Sequence, residues 1–309
     1  MILTVTLNAA LDLTYRTRSL VPGATHRVGA VVERAGGKGV NVARVLAALG
    51  HETVVTGFAG GRTGDTLREL LSGAANGPRD ALVPIAGTTR RTVAVVDDAT
   101  GGTTQLNETG PAVSPGEWAA FLDAYAGLLG RAGAVALCGS LPPGIQVGAY
   151  ADLVRRARAA GVPVLLDTSG EPLRRGVAAR PDLVKPNAEE LAHLTGAREP
   201  LRAALDARRR GAHAVIASLG RDGIVAATPE GTWQAASPKA AKGNASGAGD
   251  SAVAGLLSGL VEGLPWPARL ARAVALATAT VMAPTAGEFD AATYEELLPL
   301  ITVTEHPGA

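Results

Sequence analysis

From about residue 131 onward, short runs of apolar residues alternate with longer helix-patterned segments, and this alternation constrains the fold more than any other feature. The run at 134–137 leads through a turn to a helical pattern near 148–160, and 162–166 repeats the buried-strand pattern, ending at Asp167. Further strands are expected at 182–185 and 214–218, with a helix at 188–195 between them. A long helix should open near Gly249 and run to about Val261, with another at 268–281. Short continuous apolar runs bounded by turn residues are the pattern of strands covered on both faces. Strands that alternate with helices pair in parallel, because the crossover returns the chain to the same end of the sheet. The expected fold class is α/β, a mostly parallel central sheet flanked by helices.

The first third reads differently. Residues 1–7 form a strand pattern, but 11–33 and 88–107 are rich in Thr, Val and Arg with a two-residue alternation, as in Thr92-Val-Ala-Val-Val96. That period marks antiparallel strands with at least one face in water. Discontinuous in sequence, they would form a small antiparallel β-sheet projecting from the body as a lid. Its open edges invite pairing with a second copy, so a homodimer through the lid is expected. The Gly/Ala/Asn/Pro patch around 72–80 reads as a loop, and the sequence after the last long helix reads as helical to the C-terminus.

Composition narrows the function classes. With 309 residues, the chain fits one α/β domain, 1–309, carrying a small appendage. Aromatic residues are 3% of the chain, too few for a broad base-stacking surface. Basic and acidic residues number 29 and 28, a net charge of +1 that gives no global attraction to nucleic acid or membrane. Arg208, Arg209 and Arg210 read as a solvated helix end. A single cysteine, Cys138, excludes an internal disulfide and suits a reducing compartment. The apolar stretches near 252–264 and 273–284 are too short and interrupted to span a bilayer, and a cytoplasmic protein is expected. The five histidines show no metal-ligand spacing.

Gly247-Ala-Gly-Asp250 carries the most chemistry. Two glycines flank a small residue just before an apolar helix, so backbone N–H groups can converge on an anion at the positive end of the helix dipole. Phosphoryl transfer needs such a site, and a carboxylate beside the attacking hydroxyl to accept its proton. Asp250 is placed for that role. Equally, the glycines could make a tight turn and Asp250 could cap the helix. The spacing also matches the dinucleotide fingerprint G-x-G-x-x-A, but no strand ending in an acidic residue follows. Gly36-Gly-Lys-Gly39 is not a P-loop, because Gly39 stands where Ser or Thr is required and Val32 occupies the first glycine position. Gly139-Ser140 lacks the spacing of a hydrolase nucleophile elbow.

Together these clusters form a known pattern. Gly36-Gly-Lys-Gly-Val-Asn-Val-Ala-Arg44 resembles the first motif of the ribokinase-like carbohydrate kinases, and Gly247-Ala-Gly-Asp250 the second. Gly139-Ser-Leu-Pro-Pro-Gly144, Lys185-Pro-Asn-Ala-Glu-Glu-Leu191 and Ser218-Leu-Gly-Arg-Asp-Gly223 lie between them in the family's order. Within that superfamily the chain is similar to the phosphofructokinase B group. Thr6-Leu-Asn-Ala-Ala-Leu-Asp12 and Asn107-Glu-Thr-Gly-Pro111 most resemble its 1-phosphofructokinase and tagatose-6-phosphate kinase branch.

The resemblance implies roles. Asp250 would be the base, and the amides of Gly247, Ala248 and Gly249 the anion hole. Asp12, Gly37, Lys38 and Asn41 would hold the sugar, Ser140 would line its pocket, and Arg90 would bind the phosphate already on the substrate. Arg27, on the lid, would reach the same phosphate, in its own subunit or its partner. On the nucleotide side, Lys185 would face the ATP phosphates, with Ser218, Gly220 and Gly223 forming a loop beside the nucleotide. Asn187 and Glu190 would organise Mg²⁺ through water, although their N-x-x-E spacing is also that of a helix capping box. Pro284-Thr-Ala-Gly287 would lie by the adenine and a monovalent-cation site. ATP and Mg²⁺ are thus the expected cofactors and a phosphorylated ketohexose the expected substrate: fructose 1-phosphate first, with tagatose 6-phosphate and fructose 6-phosphate as alternatives. A non-catalytic sugar-phosphate sensor is the competitor from another class. One departure bears on the sugar: Thr92 stands where the branch carries asparagine.

Overall fold

The computed structural model describes residues 1–29, 31–73, 77–238, 245–283 and 287–306. Its strands are β1 (Ile2–Thr6), β2 (Ala10–Thr17), β3 (Val31–Gly36), β4 (Thr53–Ala59), β5 (Arg79–Asp80), β6 (Val83–Pro84), β7 (Arg90–Asp97), β8 (Thr103–Asn107), β9 (Ala134–Cys138), β10 (Val164–Asp167), β11 (Leu183–Val184), β12 (Ala214–Ser218), β13 (Ile224–Ala227), β14 (Thr232–Ala236) and β15 (Thr302–Glu305). Its α-helices are α1 (Lys38–Ala48), α2 (Gly61–Ser72), α3 (Pro115–Leu129), α4 (Ala149–Ala159), α5 (Gly170–Ala178), α6 (Ala188–Thr195), α7 (Pro200–Arg209), α8 (Ala248–Val261), α9 (Trp266–Met282) and α10 (Ala291–Leu297).

The large sheet runs β15-β14-β13-β12-β11-β10-β9-β1-β4-β5, with β6 beside β4. From β12 through β9 and β1 to β4 every pairing is parallel, as the strand–helix alternation predicts. β13, β14 and β15 extend one edge antiparallel. β15 corrects the reading of the C-terminal stretch as helical: after α10 the chain returns to pair β14, Trp233 opposite Glu305. Four residues that mostly face outward carry too weak an alternation to announce a strand.

Side chains alternate across the sheet, and so do its two apolar layers. Leu3, Val5, Leu137 and Leu166 pack with Phe121 of α3, Tyr150 of α4 and Leu191 of α6. Ile2, Ala136, Leu165 and Ile216 pack with Val42 of α1, Leu256 of α8 and Leu276 of α9. Helix α1 sits so close to β1 that a side chain at Gly39 would overlap the Val5 backbone and Thr6. The arginines at the end of α7 do more than meet solvent. Arg208 donates to the carbonyls of His213 and Thr228, and Arg210 to those of Leu194 and Thr195.

A second sheet, β3-β2-β7-β8, stands apart from the first. Its outer pairings are antiparallel as expected, and its central pair, β2 with β7, is parallel because the two segments enter from distant parts of the chain. Every residue of β8 is exposed, and Val31, Val32 and Leu106 present apolar side chains to solvent. Of the patch read as a loop, 74–76 lie outside the described residues, as do Asn244 before the Gly247 turn and 284–286 of the turn assigned to the adenine and monovalent cation. Among the described residues no helix is long and apolar enough to cross a membrane.

Candidate active site

In parallel sheets, ligands bind beyond the carboxyl ends of the strands, where the strand order reverses. Here β1 is flanked by β4 on one side and β9 on the other, so the chain switches direction at β1. Above that point an open cleft of about 1020 Å³ lies between the body and the lid. The strand ends put Ser140, Lys185 and Ser218 along it, α1 contributes Lys38 and Asn41 behind Gly37, and α8 contributes Asp250 behind Gly247 and Gly249. The lid contributes Asp12 and Arg90.

Asp250 is not a helix cap. The N-cap is Gly247, with no side-chain capping bond and a φ of 83° that favours glycine. Asp250 sits in the first turn, 6% exposed, and its carboxylate accepts a 2.8 Å hydrogen bond from Asn41 Nδ2. Burial pushes its pKa up to about 6, Lys38 pulls it down and Asp167 pushes it up again. A carboxyl poised there is ionised at neutral pH yet basic enough to take a proton. First-turn amides have no acceptor within their own helix, and Gly247 and Gly249 border the cleft. The Ala248 N–H is directed instead to Ala245 O at 3.2 Å.

Two lysines meet a carboxylate that sequence reasoning passed over. Asp167, 1% exposed, lies 3.2 Å from Lys38 Nζ and 3.6 Å from Lys185 Nζ. Burial alone would lower the Lys38 ammonium pKa, but Asp167, Asp250 and Glu190 together hold it above the usual lysine range. The signal was available: Asp167 closes a buried parallel strand, where a carboxylate faces the ligand end rather than the core.

At the lid end Asp12 and Arg90 are neighbours. Burial pushes the Asp12 carboxyl up to about 6, against the pull of Arg90, a hydrogen bond to Thr92, and Arg44. Arg90 is held by Asn8 O at 3.1 Å, Glu108 O at 3.2 Å and Thr92 Oγ1 at 3.4 Å. Thr92 thus ties the two charges together. Asn8 also was missed: its Nδ2 donates to Ser140 Oγ and Thr109 O, while among the described residues its buried Oδ1 has no hydrogen-bond partner.

On the other flank Asn187 and Glu190 form the capping box that their spacing allowed. Glu190 N donates to Asn187 Oδ1 at 2.8 Å, and Asn187 N to Glu190 Oε2 at 2.9 Å. Both also line the cleft. Their oxygens keep lone pairs beyond the cap, a hard-oxygen donor set that fits Mg²⁺ held through water better than by direct coordination. A smaller hollow of about 410 Å³ continues from Asn187 and Ser218 to Gly220. Gly223 lies below it against the Ala235 backbone, lining neither space. Arg27 is exposed between β2 and β3 and does not line the cleft.

The family model of pfkB carbohydrate kinases matches residues 3–292. A 1-phosphofructokinase of Rhodobacter capsulatus is 41% identical over 288 residues, 90% of this chain and 88% of that protein. Phosphofructokinase-2 of Escherichia coli, solved with fructose-6-phosphate, superposes with a TM-score of 0.87 at 29% identity over 97% of this chain and 98% of its own. The same enzyme solved with potassium gives 0.89 at 28% identity, again over 97% and 98%. Arabidopsis thaliana ribokinase, 24% identical over 96% of this chain and 98% of its own, shares the fold with a TM-score of 0.76.

Proposed function

The chain belongs to the pfkB family of carbohydrate kinases and is a sugar-phosphate kinase, and from that premise we propose that it transfers the γ-phosphoryl group of ATP to fructose 1-phosphate, giving fructose 1,6-bisphosphate. The observation that carries the reading is Arg90, a cation fixed by three oxygen acceptors and set beside Asp12, whereas the charges that act on Asp250 are Lys38, Asp167 and Lys185. A cation there suits a phosphate that stays on the sugar while the free primary hydroxyl at the other end reacts. The 41% identity to a 1-phosphofructokinase supports the choice of sugar.

In this reading Asp250 takes the proton from the attacking hydroxyl, and the first-turn amides of α8 hold the transferred group. The Ala248 N–H joins them by turning from Ala245. Asp12, Asn41, Ser140 and the Gly37 backbone hold sugar hydroxyls, with Lys38 alongside. Lys185 faces the nucleotide phosphates, and the hollow from Ser218 to Gly220 takes the base and ribose, with Gly223 supporting the loop. Asn187 and Glu190 hold Mg²⁺ through water, and the ion supplies charge neutralisation on the phosphates. The exposed lid residues Val31, Val32 and Leu106 support a homodimer in which Arg27 of a second copy approaches the sugar phosphate.

Coupled-assay kinetics over fructose 1-phosphate, fructose 6-phosphate, tagatose 6-phosphate and free fructose test the substrate. Fructose 1-phosphate should give the highest kcat/KM, and free fructose little turnover. The likeness to an enzyme solved with fructose-6-phosphate favours that sugar as the second reading, and a higher kcat/KM on it would replace the first.

A further inference from the structure

Five charges meet at the phosphoryl-transfer end of the cleft, and four of them, Lys38, Lys185, Glu190 and Asp250, border open space. The fifth, Asp167, is the most deeply buried and touches both lysines. Lys38 reaches it from α1 with Nζ 3.3 and 3.2 Å from its two carboxylate oxygens. Lys185 comes from the residue after β11, 5% exposed, and finds a countercharge in this carboxylate 3.6 Å away. Lys185 Nζ also lies 3.5 Å from where a side chain on Gly249 would begin, beside the first turn of α8. The sheet fixes the arrangement: Thr6, Cys138 and Asp167 share one row across β1, β9 and β10, and Lys185 N bonds to Leu166 O.

We propose that Asp167 is a positioning residue for phosphoryl transfer: from beneath the cleft it clasps the Lys38 and Lys185 ammonium groups and sets them on either side of the path between nucleotide and sugar. An ammonium is a mobile point charge on a flexible stem. Salt-bridged to one buried carboxylate, the two lysines have little freedom left, and each keeps N–H donors for a phosphoryl oxygen. The clasp also sets two lysines against Asp167, Asp250 and Glu190, so that incoming phosphate does not meet a bare group of carboxylates.

The groups facing Asp250 give the clasp a readout that a purely structural role lacks. From α1 come Lys38 and the Asn41 amide, from β10 Asp167, from just past β11 Lys185, and from β9 the Cys138 thiol, which burial pushes well up and keeps neutral. Lys38 and Lys185 favour the ionised Asp250, whereas Asp167 disfavours it. Removing Asp167 and removing Lys38 should therefore move Asp250 in opposite directions.

The inference rests on Asp250 being the base, which Asp250→Asn tests by itself, so failure of either reading is separable. The experiment is the pH profile of kcat with saturating Mg²⁺, ATP and sugar phosphate for Asp167→Asn, Asp167→Glu and Lys38→Met. Asp167→Asn should lower kcat about a hundredfold, the cost of displacing groups at a reacting centre. It should raise KM for ATP more than KM for the sugar phosphate and move the acidic limb to lower pH. Asp167→Glu should recover part of kcat, and Lys38→Met should move the limb to higher pH. A loss uniform over pH, or limbs that move the same way in both variants, overturns the clasp. If Asp167→Asn does not fold, an unmoved limb in Lys38→Met overturns it alone.

Discussion

In the proposed function the two ends of the cleft each hold a phosphate, with different machinery. At the body end, lysines on strand ends and helix N-termini surround Asp250 and Asp167 beneath a deeply packed sheet. At the lid end, Arg90 and Asp12 sit on strands with water on their outer side. Both Asp250 and Asp12 have carboxyls pushed up to about 6 by burial, so titration alone does not separate them. Their neighbours do. An arginine fork holds a phosphate in one fixed orientation, which suits a group that never leaves the substrate. Ammonium groups can follow a phosphoryl group as it moves. The proposed function thus assigns transfer to the body end and retention to the lid end.

The largest effect should come from the body. Asp250→Asn removes the proton acceptor while keeping the amide partner of Asn41, and kcat should fall about 10³-fold or more with the sugar-phosphate KM changed only a few-fold. Steady-state kinetics decide it, and a kcat within tenfold of the parent would assign the base elsewhere. The mirror experiment is Arg90→Ala. Losing a charge-assisted contact of about 1.5–3 kcal/mol should raise the sugar-phosphate KM about 10- to 100-fold with a smaller change in kcat. An unchanged KM would dissolve the contrast between the two ends.

This contrast was only half legible in the sequence. The body's strands and helices were readable because buried parallel strands are continuous apolar runs, and α6 and β12 fall where the pattern puts them. Glycine turns and motif spacing surround Asp250, Asn41 and Lys185, which the fold brings to one cleft. Asp167 was legible only as the end of a buried parallel strand, and its meaning arises when two lysines from distant segments converge on it. Asn8 was hidden similarly, its contacts coming from residues 101 and 132 positions away. β15 escaped because four mostly exposed residues carry too weak an alternation. The parallel β2–β7 pair depends on entry directions that periodicity does not encode.

A smaller, pH-dependent effect reaches both ends at once. A carboxyl whose folded pKa lies near 6, above its ordinary 3.8, binds protons more readily folded than unfolded. Its ionisation therefore weakens the fold: stability is greatest below the unfolded pKa and falls as pH rises through about 6. Asp250→Asn and Asp12→Asn should each raise Tm at pH 8 and leave it nearly unchanged at pH 4, measured by calorimetry on the ligand-free protein. The kcat of the parent should rise with pH across the same interval, as Asp250 becomes ionised. A Tm gain equal at both pH values would mean that the carboxylates are not strained by burial, and that neither end stores strain for function.

The smallest expected effect isolates the lid. Leu106 is 60% exposed on β8 and contributes little to the fold of one chain. Leu106→Ser should change unfolding free energy by no more than about 0.5 kcal/mol, and body-end chemistry should not register it. If the lid pairs with a second copy, the same substitution places a hydroxyl in an apolar contact, and light scattering should show the mass falling towards one chain at micromolar protein. The sugar-phosphate KM should then rise as Arg27 of the second copy is withdrawn, with kcat at saturation held. An unchanged mass and KM would confine phosphate recognition to Arg90 and its own lid. The retention end would then be complete within a single chain.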